Sequence, residues 1–279
     1  MDKTLFIFGY GYSAQALARE LAPQGWTVIG TSREGRDGTI RWPGEDISGA
    51  LAQATHLLIS AGPDAEGDPV LRGARNQIVA AADRLEWVGY LSTTGVYGDH
   101  DGGWVDEDTP LTPSTKRGQM RVAAEANWQA LAQEVGLPLH IFRLAGIYGP
   151  GRGPFAKVRN GTARRIIKKN QVFSRIHVAD IAQVLAASIA RPNPGAIYNL
   201  CDDNAAPPED VLAHAADLLG LPVPPSEDFE TAEMTPMARS FYAESKRVRN
   251  DRIKDELGVT LRYPTYQDGL AALLKLEQS

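Results

Sequence analysis

Two arrangements in this 279-residue chain have residue types and spacings that can do chemistry. Near the start, FGYGYSA places Gly9, Gly11 and Ala14 as Gly-x-Gly-x-x-Ala. That run suits a phosphate: Gly9 permits a tight turn, Gly11 lets backbone approach a pyrophosphate, and Ala14 lets a helix pack closely on its strand. Far downstream, Tyr242 and Lys246 form Tyr-x-x-x-Lys within YAESK. On a helix, that spacing sets an ammonium beside a phenol, and a nearby positive charge eases loss of the phenolic proton. The elements that carry each run decide whether it is a site.

Residues 4–8 (TLFIF) read as a short buried strand that ends at the glycine run. Residues 14–21 (AQALAREL) follow with helical spacing, stopped by Pro23 and Gly25. The start of such a helix offers free N–H groups and its positive dipole end to an anion. Tyr10, Tyr12 and Ser13 therefore join Gly9, Gly11 and Ala14 as expected cofactor contacts. Further strands are expected at 26–30, 56–60, 88–92 and 139–144, with helices at 70–85 and 114–135. Unbroken apolar strands alternating with helices predict a doubly wound α/β fold, a parallel sheet covered on both faces. Ala61, Gly62 and Ser92, at strand ends, are expected to border the same crevice.

After about residue 150 the texture changes. GPGRGP is a loop, residues 159–169 carry five basic side chains, and 172–178 is strand-like. Helices at 179–190, 209–219 and 266–276 and a strand at 197–200 complete the pattern. This half is expected to return some elements to the sheet and to build a small lobe over its carboxyl edge. The second strand ends in Gly30-Thr31-Ser32-Arg33, with no acid at its tip to bond ribose hydroxyls. Ser32 and Arg33 instead suit a 2′-phosphate by charge-assisted contact, so NADP is expected over NAD.

Composition excludes other classes. The net charge is −5, from 29 Lys and Arg against 34 Asp and Glu, which argues against a general nucleic-acid or membrane binder. No apolar run reaches the roughly 18 residues of a membrane span, and MDKTLFIFGY turns polar too soon for a signal peptide. Cys201 is the only cysteine and the five histidines are scattered, so no metal site is expected. A soluble cytoplasmic protein follows as the expectation.

Several further segments carry a resemblance: LSTTGVYG at 91–98, TPLTPSTKRGQMRVAAEANW at 109–128, RLAGIYGPG at 143–151, RIHVADIA at 175–182 and LGVTLRYPTYQDGL at 257–270. Together, in this order, they resemble the extended short-chain dehydrogenases/reductases, the nucleotide-sugar epimerases and dehydratases, and most closely the atypical branch in which parts of the active site are replaced. The resemblance implies a Rossmann NAD(P)-binding domain over residues 1–150. Residues 151–279 would then contribute to the sheet and form a small substrate-binding lobe.

It also implies site residues. The family's Ser/Thr, which bonds the substrate oxygen, falls on Thr93. Its tyrosine and lysine come on the next long helix; aligning Pro113 and Glu125 puts Arg117 and Arg121 there. An arginine stays protonated and cannot be the proton-transfer base. It can bind an anion or stabilise developing negative charge. Tyr97 in the VYG segment, Tyr148 in IYGPG and Tyr242 are the other proton-donor candidates, Tyr97 foremost among them. Thr94, Tyr148, Arg152 and Arg175 are the expected substrate contacts, the arginines suiting a phosphate. Tyr242 and Lys246 come about 150 residues too late and are expected on lobe surface or helix.

Two functions remain open at this point. One is an NADP-dependent oxidoreductase, epimerase or dehydratase acting on a phosphorylated or nucleotide-linked small molecule. The other is a non-catalytic dinucleotide-binding or redox-sensing protein. The helices at 70–85 and 114–135 are expected to pair into a homodimer.

Overall fold

The computed structural model describes residues 3–36 and 38–278. The chain runs through β1 (Thr4–Phe8), α1 (Tyr12–Leu21), β2 (Thr27–Ser32), β3 (Ile40–Arg41), α2 (Ser48–Leu51), β4 (His56–Ile59), α3 (Pro69–Ala81), β5 (Trp87–Thr93) and α4 (Lys116–Val135). Strands Leu139–Leu144 and Ile197–Leu200 complete a seven-stranded sheet. Its order is Ile197–Leu200, Leu139–Leu144, β5, β4, β1, β2, β3, and every neighbouring pair is parallel. The direction of winding reverses between β1 and β4. A sheet of this kind binds ligands outside the carboxyl ends of its strands at that reversal.

Alternation along each strand builds two cores. Leu5, Ile7, Leu58 and Phe142 face one side and pack with Leu17, Leu21, Ile181 and Leu185. Phe6, Phe8, Leu57 and Ile59 face the other and pack with Ile78 and Trp128. Burying each such large apolar side chain stabilises the fold by about 1.5–3 kcal/mol. The helix Val178–Ala190 lies against α1, with Val178 and Ala182 on Ala16. A third cluster, with Tyr148, Phe155, Tyr266 and Leu273, forms the core of the C-terminal lobe.

Local chemistry explains the element ends. Asp68 caps α3 by accepting the Val70 and Leu71 amides at 2.9 and 3.0 Å, and its other oxygen accepts the Trp128 indole N–H at 3.0 Å. Thr115 caps α4 through the Gly118 amide, and Gly136, left-handed at φ 71°, ends it. The helix expected to 85 stops at Ala81 and tightens into a 3-10 turn, Ala82–Arg84.

Among several short pairings, of strands two or three residues long, only Arg175–His177 falls in a stretch expected to be strand-like, 172–178; the others were not expected. Gly146–Tyr148 pairs with Arg175–His177, Arg165–Ile167 with Ser226–Asp228, and Trp104–Val105 with Arg247–Val248. The outward faces of α3 and α4, where a homodimer was expected, carry no large exposed apolar side chain among the described residues. No described helix is long and apolar enough to cross a membrane.

Candidate functional site

The glycine run sits at the winding reversal, between β1 and α1. Gly9 has φ +86°, and a Cβ there would stand 2.9 Å from the Ala61 amide nitrogen, so only glycine fits. Its own N–H donates to Thr31 Oγ1 at 3.2 Å, and the Tyr10 N–H to the Thr31 carbonyl at 2.8 Å. These bonds fix the loop to β2. At Gly11 a Cβ would meet nothing nearer than 4.0 Å, so open space lies over the backbone. Gly11 is also the N-cap and has no side chain to cap with. The first-turn amides of Tyr12, Ser13 and Ala14 therefore have no acceptor within the helix. This is a cradle that fits a pyrophosphate.

Side chains in the loop have different duties. The Tyr10 ring lies against Gly30, where a Cβ would clash with it at 2.6 Å. Ser13 and Ala14 are buried under the helix start. The Tyr12 hydroxyl donates to the Pro150 carbonyl at 2.9 Å. At the tip of β2, Ser32 Oγ pairs with Thr39 Oγ1 at 2.7 Å and accepts the Arg36 amide. Arg33 is exposed and makes no bond or ion pair among the described residues.

Beside this cradle opens a cavity of about 760 Å³. Thr93, Thr94 and Gly95 line it from the end of β5, and Arg117 and Arg121 from one face of α4. Thr93 Oγ1 accepts the Gly95 amide at 3.2 Å. Gly118 allows α4 this close: a Cβ there would lie 2.7 Å from the Gly95 carbonyl. Arg121 donates to the Leu91 carbonyl at 2.7 Å and the Tyr90 hydroxyl at 3.3 Å. Its Nη2 lies 2.9 Å from where a Gly62 Cβ would be, so Gly62 makes room for the guanidinium. Ala61 hands its amide to Phe8. Arg117 has no hydrogen-bond or ion-pair partner among the described residues and reaches the cavity uncommitted.

Two expected contacts lie elsewhere. Tyr97 is buried, donates to Asn199 Oδ1 at 2.7 Å and accepts from Arg143 at 2.9 Å. Burial pushes its pKa up to about 12. A phenol engaged on both sides inside the core is not placed to protonate a substrate. Ser92 is buried too, and its hydroxyl donates to Glu125. Glu125 also pairs with Arg143 at 2.8 Å, both side chains 2–3% exposed. This network joins β5, α4 and the strand Leu139–Leu144 beneath the cavity.

Tyr148 and Arg175 do line the cavity. Burial raises the Tyr148 pKa, and its hydroxyl sits 3.4 Å from the Thr265 carbonyl. Arg175 donates to the Phe173 and Ala206 carbonyls at 2.9 and 3.0 Å, and burial lowers its pKa. Structure sorts the basic cluster. Arg159 and Arg164 are tied to Glu277 and Glu227, and Lys168 to the Tyr242 carbonyl. Arg152 and Arg175 have no carboxylate within ion-pair distance among the described residues. Arg152 lies off the main cavity, over the Tyr12 ring.

YAESK needs a correction. It is not a helix, so the spacing does not stack its two ends. Tyr242 packs between Phe173 and Phe229. Lys246, expected on the surface, is 8% exposed and lines the cavity. Its ammonium donates to the Gly98 carbonyl at 2.6 Å and to Glu244 at 2.7 Å, and Glu244 accepts from Ser114 just before α4. Sequence reasoning missed Glu244 and Lys246 because only long-range contacts bring them there: the pairing of 104–105 with 247–248 and the hydrogen bonds of Ser245 with Asp99, His100 and Asn170. Tyr242→Phe is expected to leave dinucleotide affinity unchanged in a fluorescence titration; a large loss would mean that the site is misplaced. His177 accepts the Ala179 amide at 3.2 Å and packs on Tyr148. Asp180 anchors the amides of Arg262 and Tyr263 at 2.6 and 3.2 Å. No cluster of three metal-ligating side chains occurs among the described residues.

Known proteins share this architecture. A family model described as the NAD dependent epimerase/dehydratase family matches residues 71–201. Protein YeeZ of Escherichia coli K12 is 30% identical over 283 aligned positions, covering 94% of this chain and 97% of YeeZ. A conserved protein of unknown function from Silicibacter pomeroyi is 62% identical, with TM-score 0.94 and 98% of each chain covered. MoeE5, solved with UDP-glucose and NAD, shares the fold at TM-score 0.80 and 21% identity, covering 99% of this chain and 98% of its own. Near-complete alignment to a relative, agreement with the family model and the strand order together place the chain in the NAD dependent epimerase/dehydratase family, as an atypical extended short-chain dehydrogenase/reductase.

Proposed function

We propose that this protein binds NADP(H) and acts as an oxidoreductase or epimerase/dehydratase on a small anionic substrate, phosphorylated or nucleotide-linked. One observation carries the reading: Arg117, Arg121, Arg175 and Lys246 line a single cavity beside the phosphate cradle, and Glu244 is the only carboxylate lining it among the described residues. An excess of cations in a partly enclosed cleft concentrates and orients anions. Nucleotide sugars held with NAD in the MoeE5 structures agree with that class of ligand.

Bound nicotinamide would supply or accept hydride. Thr93 would bond the substrate oxygen. Arg117 and Arg121 would stabilise negative charge as it develops there, and the proton that accompanies hydride transfer would pass to or from solvent water in the partly open cleft, since neither arginine can carry it. Arg121, held on Leu91 and packed on Gly62, is the better placed of the two to reach the cofactor's ribose. Arg33 would take the 2′-phosphate.

A second reading, dinucleotide binding without turnover, draws on a different observation: Tyr97 is locked in the core and Tyr148 is held on a backbone carbonyl. One experiment separates the two. NADP⁺ and NADPH are incubated with a panel of nucleotide-linked and phosphorylated sugars; nicotinamide absorbance is followed for net oxidation or reduction, and the sugars are analysed by NMR for epimerisation or dehydration, which return the cofactor to its starting state. A cofactor-dependent change in absorbance or in the sugar, abolished by Thr93→Val and Arg117→Ala, supports catalysis. Tight NADPH binding without any turnover across the panel supports the second reading. Absence of dinucleotide binding refutes both.

A further inference from the structure

We infer that Arg152, carried by the loop of the second half of the chain, is a clamp on the diphosphate of the dinucleotide; this rests on the NADP(H) reading above. Three observations converge on it. The cradle at Gly11 is open, and the first-turn amides of α1 lack a capping side chain. The Arg152 guanidinium lies over the ring of Tyr12, the first residue of that helix, at 5.2 Å. And Arg152, unlike Arg159 and Arg164, has no carboxylate partner among the described residues.

The loop is built to hold the guanidinium there. Gly149 and Arg152 exchange backbone hydrogen bonds at 3.1 and 2.8 Å, closing a tight turn. The Tyr12 hydroxyl then latches that turn through the Pro150 carbonyl. Gly149 has φ +152°, and a Cβ on it would fall 2.5 Å from the Tyr12 hydroxyl, so the latch requires glycine. Tyr12 thus does two things: its amide faces the phosphate and its ring shelves a cation. A planar guanidinium can give two parallel hydrogen bonds to a phosphate and adds a full positive charge to the partial charge of the helix terminus. Arg152 also borders a side cavity of about 210 Å³ with Tyr148, Arg175 and Tyr266, so a substrate contact is the competing assignment.

Calorimetric titration of the full chain with ADP-ribose, NADH, NADPH and adenosine 2′-monophosphate decides between them. Arg152→Ala is expected to weaken ADP-ribose, NADH and NADPH by a common factor of about tenfold, the size of one charge-assisted contact. Adenosine 2′-monophosphate, which lacks the diphosphate, is expected to bind as before. Tyr12→Leu, which removes the shelf, should reproduce most of the loss, and Arg152→Lys should recover part of it. Unchanged ADP-ribose affinity in Arg152→Ala overturns the inference, as does an equal loss for adenosine 2′-monophosphate. If the unsubstituted protein binds none of the dinucleotides, the functional reading itself fails, and the clamp with it.

Discussion

Glu125→Leu is expected to destabilise the protein by about 3–5 kcal/mol, because it strands the Arg143 charge in the core. Arg143 is 3% exposed and Glu125 2%. Burial alone would lower the Arg143 pKa; the Glu125 carboxylate beside it outweighs that, and the net shift is upward. The lost partner serves more than one group: Ser92 and Arg143 both donate to Glu125, and Arg143 goes on to Tyr97. For a chain of this size the melting temperature should fall by roughly 10 °C. The double variant Glu125→Leu, Arg143→Met removes both charges and should recover much of the loss, since a buried ion pair is often no better than apolar groups of similar volume. Thermal unfolding within about 2 °C of the unsubstituted protein for the single variant would refute the account.

Arg33→Ala should reduce NADPH affinity by about tenfold to a hundredfold while leaving NADH almost unchanged, as expected for one charge-assisted contact worth about 1.5–3 kcal/mol. Neighbouring groups are otherwise engaged. Arg36 pairs with Glu34 at 3.0 Å, and Ser32 is shared between Thr39 and the Arg36 amide. Among the described residues Arg33 stands uncommitted at the strand tip, and the neighbouring Glu34 carboxylate is taken by Arg36. Adding Glu at that position should go further and favour NADH, by repelling the 2′-phosphate and accepting from the ribose. Fluorescence titrations with the two cofactors test both variants. Equal affinities of the unsubstituted protein for NADPH and NADH would dismiss the role of Arg33.

Much of the fold was legible along the chain. Strands Thr4–Phe8, Leu139–Leu144 and Ile197–Leu200 stand where unbroken apolar runs placed them, and Thr115 and Gly136 bound the long helix near its expected ends. Those signals are local: apolar periodicity, caps and glycine breaks act within a few residues. The phosphate loop was legible for the same reason, since turn, close approach and helix start are consecutive. Thr93, Arg117 and Arg121 came from the family resemblance, by position relative to the VYG segment, Pro113 and Glu125; the structure sets all three along one cavity.

What the sequence determined by itself is therefore the set of local devices: the cradle at Gly9–Ala14, the parallel strands, and a pair of arginines on one helix face. Which side chains surround the cavity was decided only in three dimensions. Tyr97 lies in a promising segment, yet Arg143 and Asn199, 46 and 102 residues away, draw its hydroxyl into the core. Lys246 lies in an unpromising one, yet a two-residue pairing with Trp104–Val105 carries it to the cavity wall beside Gly98. Periodicity reports which face of an element is apolar; the partner that a polar group finds across the fold depends on long-range closure, which leaves no pattern in the residues on either side.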